Sequence, residues 1–232
     1  MQQFFIDTKI DIGDKYIFTS KQLHHAKDVV RLDNEVIRLV YNDKAFFAKV
    51  VKEEKDYYAL VIEKDERFNE LPYEVTLCLA LIRKEKFELV LQKATELGVS
   101  RIIPFTSSRC IVKDKKDKRD RYEDILLTAS EQCKRNKVPE IISTKSFKEL
   151  IDYKSKYSLV AYEKDDDKYI KEVIKAKDNV TLVIGPEGGF SEEEVDYLIS
   201  NGFEVVTLGN RILRAETAAM YGCSVLGEIL GK

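Results

Sequence analysis

Histidine is nearly missing from this chain. The two that occur, His24 and His25, are adjacent, and neighbours cannot chelate as an i, i+4 pair does, so a metal site is not expected. Cysteine is sparse: Cys78, Cys110, Cys133 and Cys223 include no CxxC pair. That argues against a zinc site and a disulfide framework and favours a reducing compartment. No apolar run approaches the roughly 20 residues of a membrane-spanning helix. The opening MQQFFIDTKID lacks the basic stretch and apolar run of a signal peptide. The expectation is a cytoplasmic protein with no membrane and no metal. Net charge is lacking too: 39 Lys and Arg against 41 Asp and Glu give −2. This counts against a general nucleic-acid coat protein, whose affinity comes from a basic surface, but allows a local basic patch.

What is present suits a folded protein. Hydrophobic residues make up 44% and charged residues 34% of 232, enough for a packed core in one large domain or a small and a medium one. Up to about residue 63 the pattern predicts short strands at Lys15–Thr19, Val36–Tyr41, Ala45–Lys52 and Tyr57–Glu63, with a helix over Gln22–Val30. Such spacing suggests a small β-barrel. The polar stretch Glu63–Pro72 reads as a linker, giving domains over 1–70 and 73–232. Beyond it, Glu74–Ile82 is the apolar run of a strand buried on both faces. Strands then alternate with helices, including Arg101–Phe105, Ser158–Tyr162, Val180–Ile184 and Phe203–Leu208, which predicts an α/β domain with a parallel sheet. Ser146 with Glu149 and Ser191 with Glu194 read as capping boxes.

Two segments stand where α/β sheets bind ligands, at strand ends. The first is Gly185-Pro186-Glu187-Gly188-Gly189-Phe190. Its glycines would let a ligand approach the backbone, although a bare strand-to-helix turn is an equally good reading of the segment alone. It is neither GxGxxG nor a phosphate-cradling GxxxxGK[ST] loop, and Glu187 is a poor neighbour for a pyrophosphate, so a dinucleotide-dependent oxidoreductase is disfavoured. The second segment runs Leu208-Gly209-Asn210-Arg211-Ile212-Leu213-Arg214-Ala215-Glu216-Thr217-Ala218, one strand later. Gln92–Val99 and Ser130–Arg135 read by spacing as solvated helix faces. The mixed-sign run Lys113–Arg121 reads as a solvated loop more than as a nucleic-acid patch.

Taken together, GPEGGFS, LGxRILRAETA, QKATELGV, the Ser108-Arg109 pair and EQxxR resemble the 16S rRNA (uracil-N3)-methyltransferase family, RsmE, of the SPOUT superfamily. The similarity extends to Phe4-Phe5, His25 and Val30-Arg31-Leu32, and so spans essentially the whole chain. The resemblance implies an N-terminal PUA-like β-barrel that guides RNA and a C-terminal SPOUT α/β domain with a trefoil knot. It also implies a homodimer. It implies S-adenosylmethionine held by Gly185, Pro186, Glu187, Gly188 and Gly189, by Leu208, Gly209, Ile212, Leu213 and Ala218, and by a third loop near Ala161–Glu163. Two departures from the family pattern, Gln3 and Asp33–Glu35, fall in the RNA-guiding domain.

The implied reaction methylates uracil N3, a Watson–Crick edge atom, so the base must be unpaired or flipped. Its N3–H is weakly acidic, so a fixed guanidinium beside O2 and O4 would help by stabilising negative charge. Arg214 is the first candidate and Arg109 the next, with Glu216 orienting the arginine. RNA, as 16S rRNA in the assembled small ribosomal subunit, is expected to contact Arg31, Lys93, Arg109 and Arg135. Bulk at Gly188 or Gly209 is expected to block the donor, and the small residues Ala218, Ala219 and Gly222 to offer a surface for close helix packing in a dimer.

Overall fold

The computed structural model describes residues 1–29, 31–53, 56–112, 119–162 and 168–231. Val30, most of the run Lys113–Arg121 and the Glu163 end of the third expected donor loop lie outside the described residues. The chain forms two compact units: residues 1–70 with 130–137, and residues 71–129 with 138–232. Nothing in the sequence pattern had assigned 130–137 to the first unit.

In the first unit, β-branched and aromatic alternation produces strands β3 (Val36–Tyr41), β4 (Lys44–Glu53) and β5 (Asp56–Asp65). These pair antiparallel, joined on the edges by β1 (Gln3–Phe5) and β2 (Lys15–Ile17), in the order β1-β3-β4-β5-β2. Asn42 and Asp43 turn the β3–β4 hairpin with positive φ, as the type I′ geometry of tight hairpins demands. One face buries Phe4, Ile37, Leu39, Ala48, Val50 and Val61. The expected helix starts as α1 (Ser20–His24), opened by a Thr19–Gln22 capping box, and continues as a π turn over His25–Val29. Strand β1 escaped the sequence reading because three residues show no usable period.

An internal arginine holds this unit. Arg38 is fully buried and donates to Asp65 at 2.7 Å, Gln3 at 2.7 Å and Asn136 at 3.0 Å. Gln3 in turn donates to the Arg135 carbonyl at 2.8 Å. The departure at Gln3 thus belongs to a buried polar network and not to an RNA-facing surface. Arg135 is also buried, 4% exposed, with its guanidinium on Glu70 at 2.6 Å. The expected RNA contact of Arg135 is therefore corrected: its donors serve an internal carboxylate and do not reach solvent.

In the second unit, β6 (Val75–Ala80) is buried at every position, as its continuous apolar run predicts. Strands β7 (Arg101–Thr106), β8 (Glu140–Ile141), β10 (Tyr157–Ala161), β11 (Val180–Ile184) and β12 (Glu204–Val206) join it in parallel, ordered β12-β10-β11-β6-β7-β8, with the short β9 (Lys145–Ser146) also on β7. Between strands stand α2 (Lys84–Glu96), α3 (Arg119–Cys133), α4 (Ile170–Val173) and α5 (Glu192–Ser200), with α6 (Ala215–Leu230) last. Both predicted capping boxes form, but the one at Ser146 opens a 3-10 helix over Phe147–Tyr153.

Helix α6 lies on β6, β11 and α2. Ala219 and Gly222 are buried there, and a Cβ on Gly222 would meet Leu182 Cδ2 at 2.6 Å. With Ala218, they pack the helix onto its own sheet and are not the open surface expected for dimer contact. Among the described residues no helix is long and apolar enough to cross a membrane.

Candidate functional site

Strands β12, β10 and β11 are parallel neighbours, so the segments that follow them all leave from the carboxyl edge of the sheet, where α/β folds hold ligands. They enclose two adjoining cavities. The larger, about 430 Å³, is walled by Ala161 and Tyr162 after β10 and by residues 207–213 after β12, with Ala218 beneath. The smaller, about 220 Å³, is walled by Ile184–Glu187, Gly189 and Phe190 after β11 and by Ile212–Ala215. Ala161, Ile212, Leu213 and Ala218 belong to both. Nearly all the residues expected to hold a donor therefore come together at one place, drawn from three separated segments. Gly188 is the exception, since it lines neither cavity. Thr207, Asn210 and Arg211 line the larger cavity without having been singled out as donor contacts. Their only sequence signal was membership of the 208–218 motif or adjacency to it.

The surroundings of the loop glycines give each a reason within the protein itself. A Cβ on Gly188 would meet Arg109 Cβ at 3.2 Å and its carbonyl oxygen at 3.3 Å. A Cβ on Gly209 would meet nothing within 4 Å, but its φ of +109° is one that side-chain-bearing residues rarely adopt. Gly188 is thus fixed by packing and Gly209 by backbone conformation. Ile212 stands 86% exposed on the rim of both cavities. An apolar side chain so placed gains when a ligand covers it.

Arg214 is the N-cap of α6 and is exposed, while Glu216 is buried in the first turn, 9% exposed. Glu216 is not hydrogen-bonded to Arg214. Its Oε1 accepts from Lys86 Nζ of α2 at 2.8 Å, and its Oε2 is buried with no partner. Burial alone would raise the Glu216 carboxyl. The Lys86 hydrogen bond, the helix-start N–H of Glu216 itself and the charges of Lys86 and Arg214 outweigh it and hold the group below the ordinary carboxylate value. The orienting role expected of Glu216 thus has no hydrogen bond to Arg214 behind it, only an interaction of charge. Lys86 takes the bond instead, a residue the sequence hid among the ordinary charges of α2. The turn before α2 also touches the site, as the Arg83 N–H donates to Glu187 Oε1 at 3.4 Å.

The remaining expected residues lie elsewhere. Lys93 is half-buried on α2 and pairs with Glu96 at 2.9 Å. Arg31 is exposed in the first unit with φ +57°. Arg109 sends its guanidinium to the carbonyls of Gly188 and Phe190. Among the described residues no group of three or more His, Cys, Asp or Glu is placed to share a metal ion.

Comparison with known proteins places this geometry in context. A profile of the RNA methyltransferase domain matches residues 69–227. The chain is 34% identical over 229 residues to the ribosomal RNA small subunit methyltransferase E of Mesomycoplasma hyopneumoniae, covering 95% of this chain and 96% of that protein. It is 33% identical over 245 residues to the protein of the same name from Bacillus subtilis, covering 97% and 96%. The crystal structure of ribosomal RNA small subunit methyltransferase E from Neisseria gonorrhoeae, bound to S-adenosyl methionine, superposes with a TM-score of 0.89 at 29% identity, covering 98% of this chain and 97% of that one. With the motif segments gathered around one cleft and the match running end to end, the chain belongs to the ribosomal RNA small subunit methyltransferase E family.

Proposed function

We propose that this protein is an S-adenosylmethionine-dependent methyltransferase that modifies N3 of a uridine in 16S ribosomal RNA. The observation that carries the reading is the convergence of the segments after β10, β11 and β12 on one cleft, in a chain whose fold matches a relative holding that donor. The residues fit the group. The larger cavity alone lies within the range of about 300–1,000 Å³ usual for small-molecule sites. Its walls combine apolar Leu208, Ile212 and Leu213 with polar Tyr162, Thr207 and Asn210, a lining suited to a flat base and a polar chain. When bound, the donor supplies an electrophilic methyl group. Holding the donor and the uridine in one orientation is the chain's main contribution, since orientation is worth roughly 7–11 kcal/mol in favourable cases.

Arg214, exposed at the cleft edge, is the residue we assign to the negative charge that spreads over the uracil carbonyl oxygens. The Lys86–Glu216 pair fixes the first turn of α6 beneath it. Arg31 and Lys93 are the candidates for RNA phosphate contacts. The PUA-like barrel, the knot, the homodimer, action on the assembled small subunit and a cytoplasmic location complete the reading. In its support, the first sheet curls over one apolar face. The chain also leaves β12 at the sheet edge and returns as α6 across β11 and β6. The test is mass-spectrometric mapping of ribosomal RNA from cells with and without the protein. One N3-methyluridine should disappear from 16S rRNA and return with the wild-type chain. An unchanged map refutes the assignment.

A further inference from the structure

Resting on the donor-site reading above, we propose that the Ser108-Arg109 turn is a buckle that sets the shape of the donor loop, and that Arg109 acts as a positioning residue and not through RNA or the reacting base. The turn follows β7, and the donor loop follows β11. Two sets of bonds join them. Arg109 Nη1 donates to the Gly188 carbonyl at 3.3 Å and to the Phe190 carbonyl at 3.1 Å. The Ser108 N–H donates to Glu194 Oε1 at 2.8 Å, while Glu194 Oε2 accepts from the Ser191 N–H at 3.0 Å. Glu194 is therefore both the capping-box residue of α5 and the acceptor for the neighbouring turn.

Packing supports the same assignment. A Cβ on Gly188 would press on Arg109, 3.2 Å from its Cβ and 3.3 Å from its carbonyl oxygen. Phe190 stacks on Phe105 of β7, ring planes 3° apart. The Gly188–Gly189 peptide is held at both ends: its carbonyl accepts from Arg109, and the Gly189 N–H donates to the Pro186 carbonyl at 2.9 Å. A loop that presents backbone groups to a ligand recognises it only if its peptide planes are fixed in advance. A single guanidinium nitrogen, Nη1, donates to both carbonyls and so fixes two carbonyl directions at once.

The role makes a prediction that separates hydrogen bonding from charge. Arg109→Gln keeps an N–H donor and loses the charge, and Arg109→Met loses both. Donor affinity by calorimetric titration should fall in the order wild type, Gln, Met, with Met at least tenfold weaker than wild type. The KM for the donor should rise in the same order, while kcat at saturating donor holds within about threefold. The dependence of RNA binding on salt should have the same slope in all three proteins. If Arg109 neutralises a phosphate instead, Gln and Met will flatten that slope equally, by about 0.7, with donor affinity intact, and the buckle is refuted. Equal thermal midpoints guard against misfolding. Should Met melt early, the Gln variant carries the test alone: donor affinity equal to wild type overturns the proposal. Wild-type protein that binds no S-adenosylmethionine refutes the donor-site reading itself, an outcome distinct from wild-type binding that both variants retain.

Discussion

Arginine has opposite roles in the two units. In the first, Arg38 and Arg135 are buried, and their donors face Asp65, Gln3, Asn136 and Glu70. In the second, Arg211 and Arg214 stand exposed at the edge of a cleft. Arg135 lies in the motif EQxxR, and Arg211 and Arg214 in RILR. A charged group removed from water has to be matched by internal partners, and once matched it is unavailable to a ligand. Glu216 lies between these cases, with one oxygen matched by Lys86 and the other not. Where the guanidinium is buried, as in Arg38 and Arg135, internal groups take its donors; where it stands exposed at the cleft, as in Arg211 and Arg214, it faces the space a ligand would fill.

The contrast breaks most visibly at Arg38. Arg38→Met leaves Asp65 with Arg67 alone and takes a buried donor from Gln3 and Asn136, and stability to urea should fall by roughly 3–5 kcal/mol. A loss under 1 kcal/mol would mean that the network is ornamental. The exposed counterpart behaves oppositely: Arg214→Ala should leave stability and donor affinity unchanged but lower kcat by about 10²–10³-fold, the usual cost of removing one preorganised donor to a developing oxyanion. Equal kcat in a methyl-transfer assay would remove Arg214 from the chemistry. Next comes Gly222→Ala, whose new methyl would push into Leu182. It should destabilise by about 1–3 kcal/mol, readable as a lowered thermal midpoint, and an unchanged midpoint would contradict the tight α6–β11 packing.

A change of pH sharpens the electrostatic side of the comparison. Burial raises the Glu131 carboxyl from 4.5 to about 7, against the Phe5 N–H and the charges of Lys134 and Lys21. A raised folded value means the folded state binds this proton more tightly than the unfolded chain. The stabilisation is therefore full below pH 4.5 and is lost as pH rises through about 7. Asp65 runs the other way: burial alone would raise it, but Arg67 and Arg38 hold it at about 2, so its contribution is present above 3.8 and lost as pH falls toward 2. Urea midpoints of Glu131→Gln should be flatter than wild type between pH 4.5 and about 7. The same slope in both proteins would show that Glu131 is not the group responsible.

Much of the second unit was legible because its signals are local. The run Glu74–Ile82 and the boxes at Ser146 and Ser191 depend on neighbours in sequence, and β6, the 3-10 helix over Phe147–Tyr153 and α5 follow them. The site's membership was legible as well, since strand ends in a parallel sheet converge by topology. Individual roles were not. Arg109, Arg135 and Gly188 were read as facing a ligand or RNA, but each is set against a distant segment of the chain.

By itself the sequence determined the alternation of strands and helices, the family and the segments that form the cleft, because periodicity, capping and motif spacing are written in contiguous residues. Only the tertiary structure decided that residues 130–137 join the first unit, that Lys86 and not Arg214 takes the Glu216 hydrogen bond, and that Arg109 grips the donor loop. Those outcomes turn on which long side chains meet across distant segments. Desolvation of a charge is settled by the whole set of distant partners that enclose it, and no local pattern records that set.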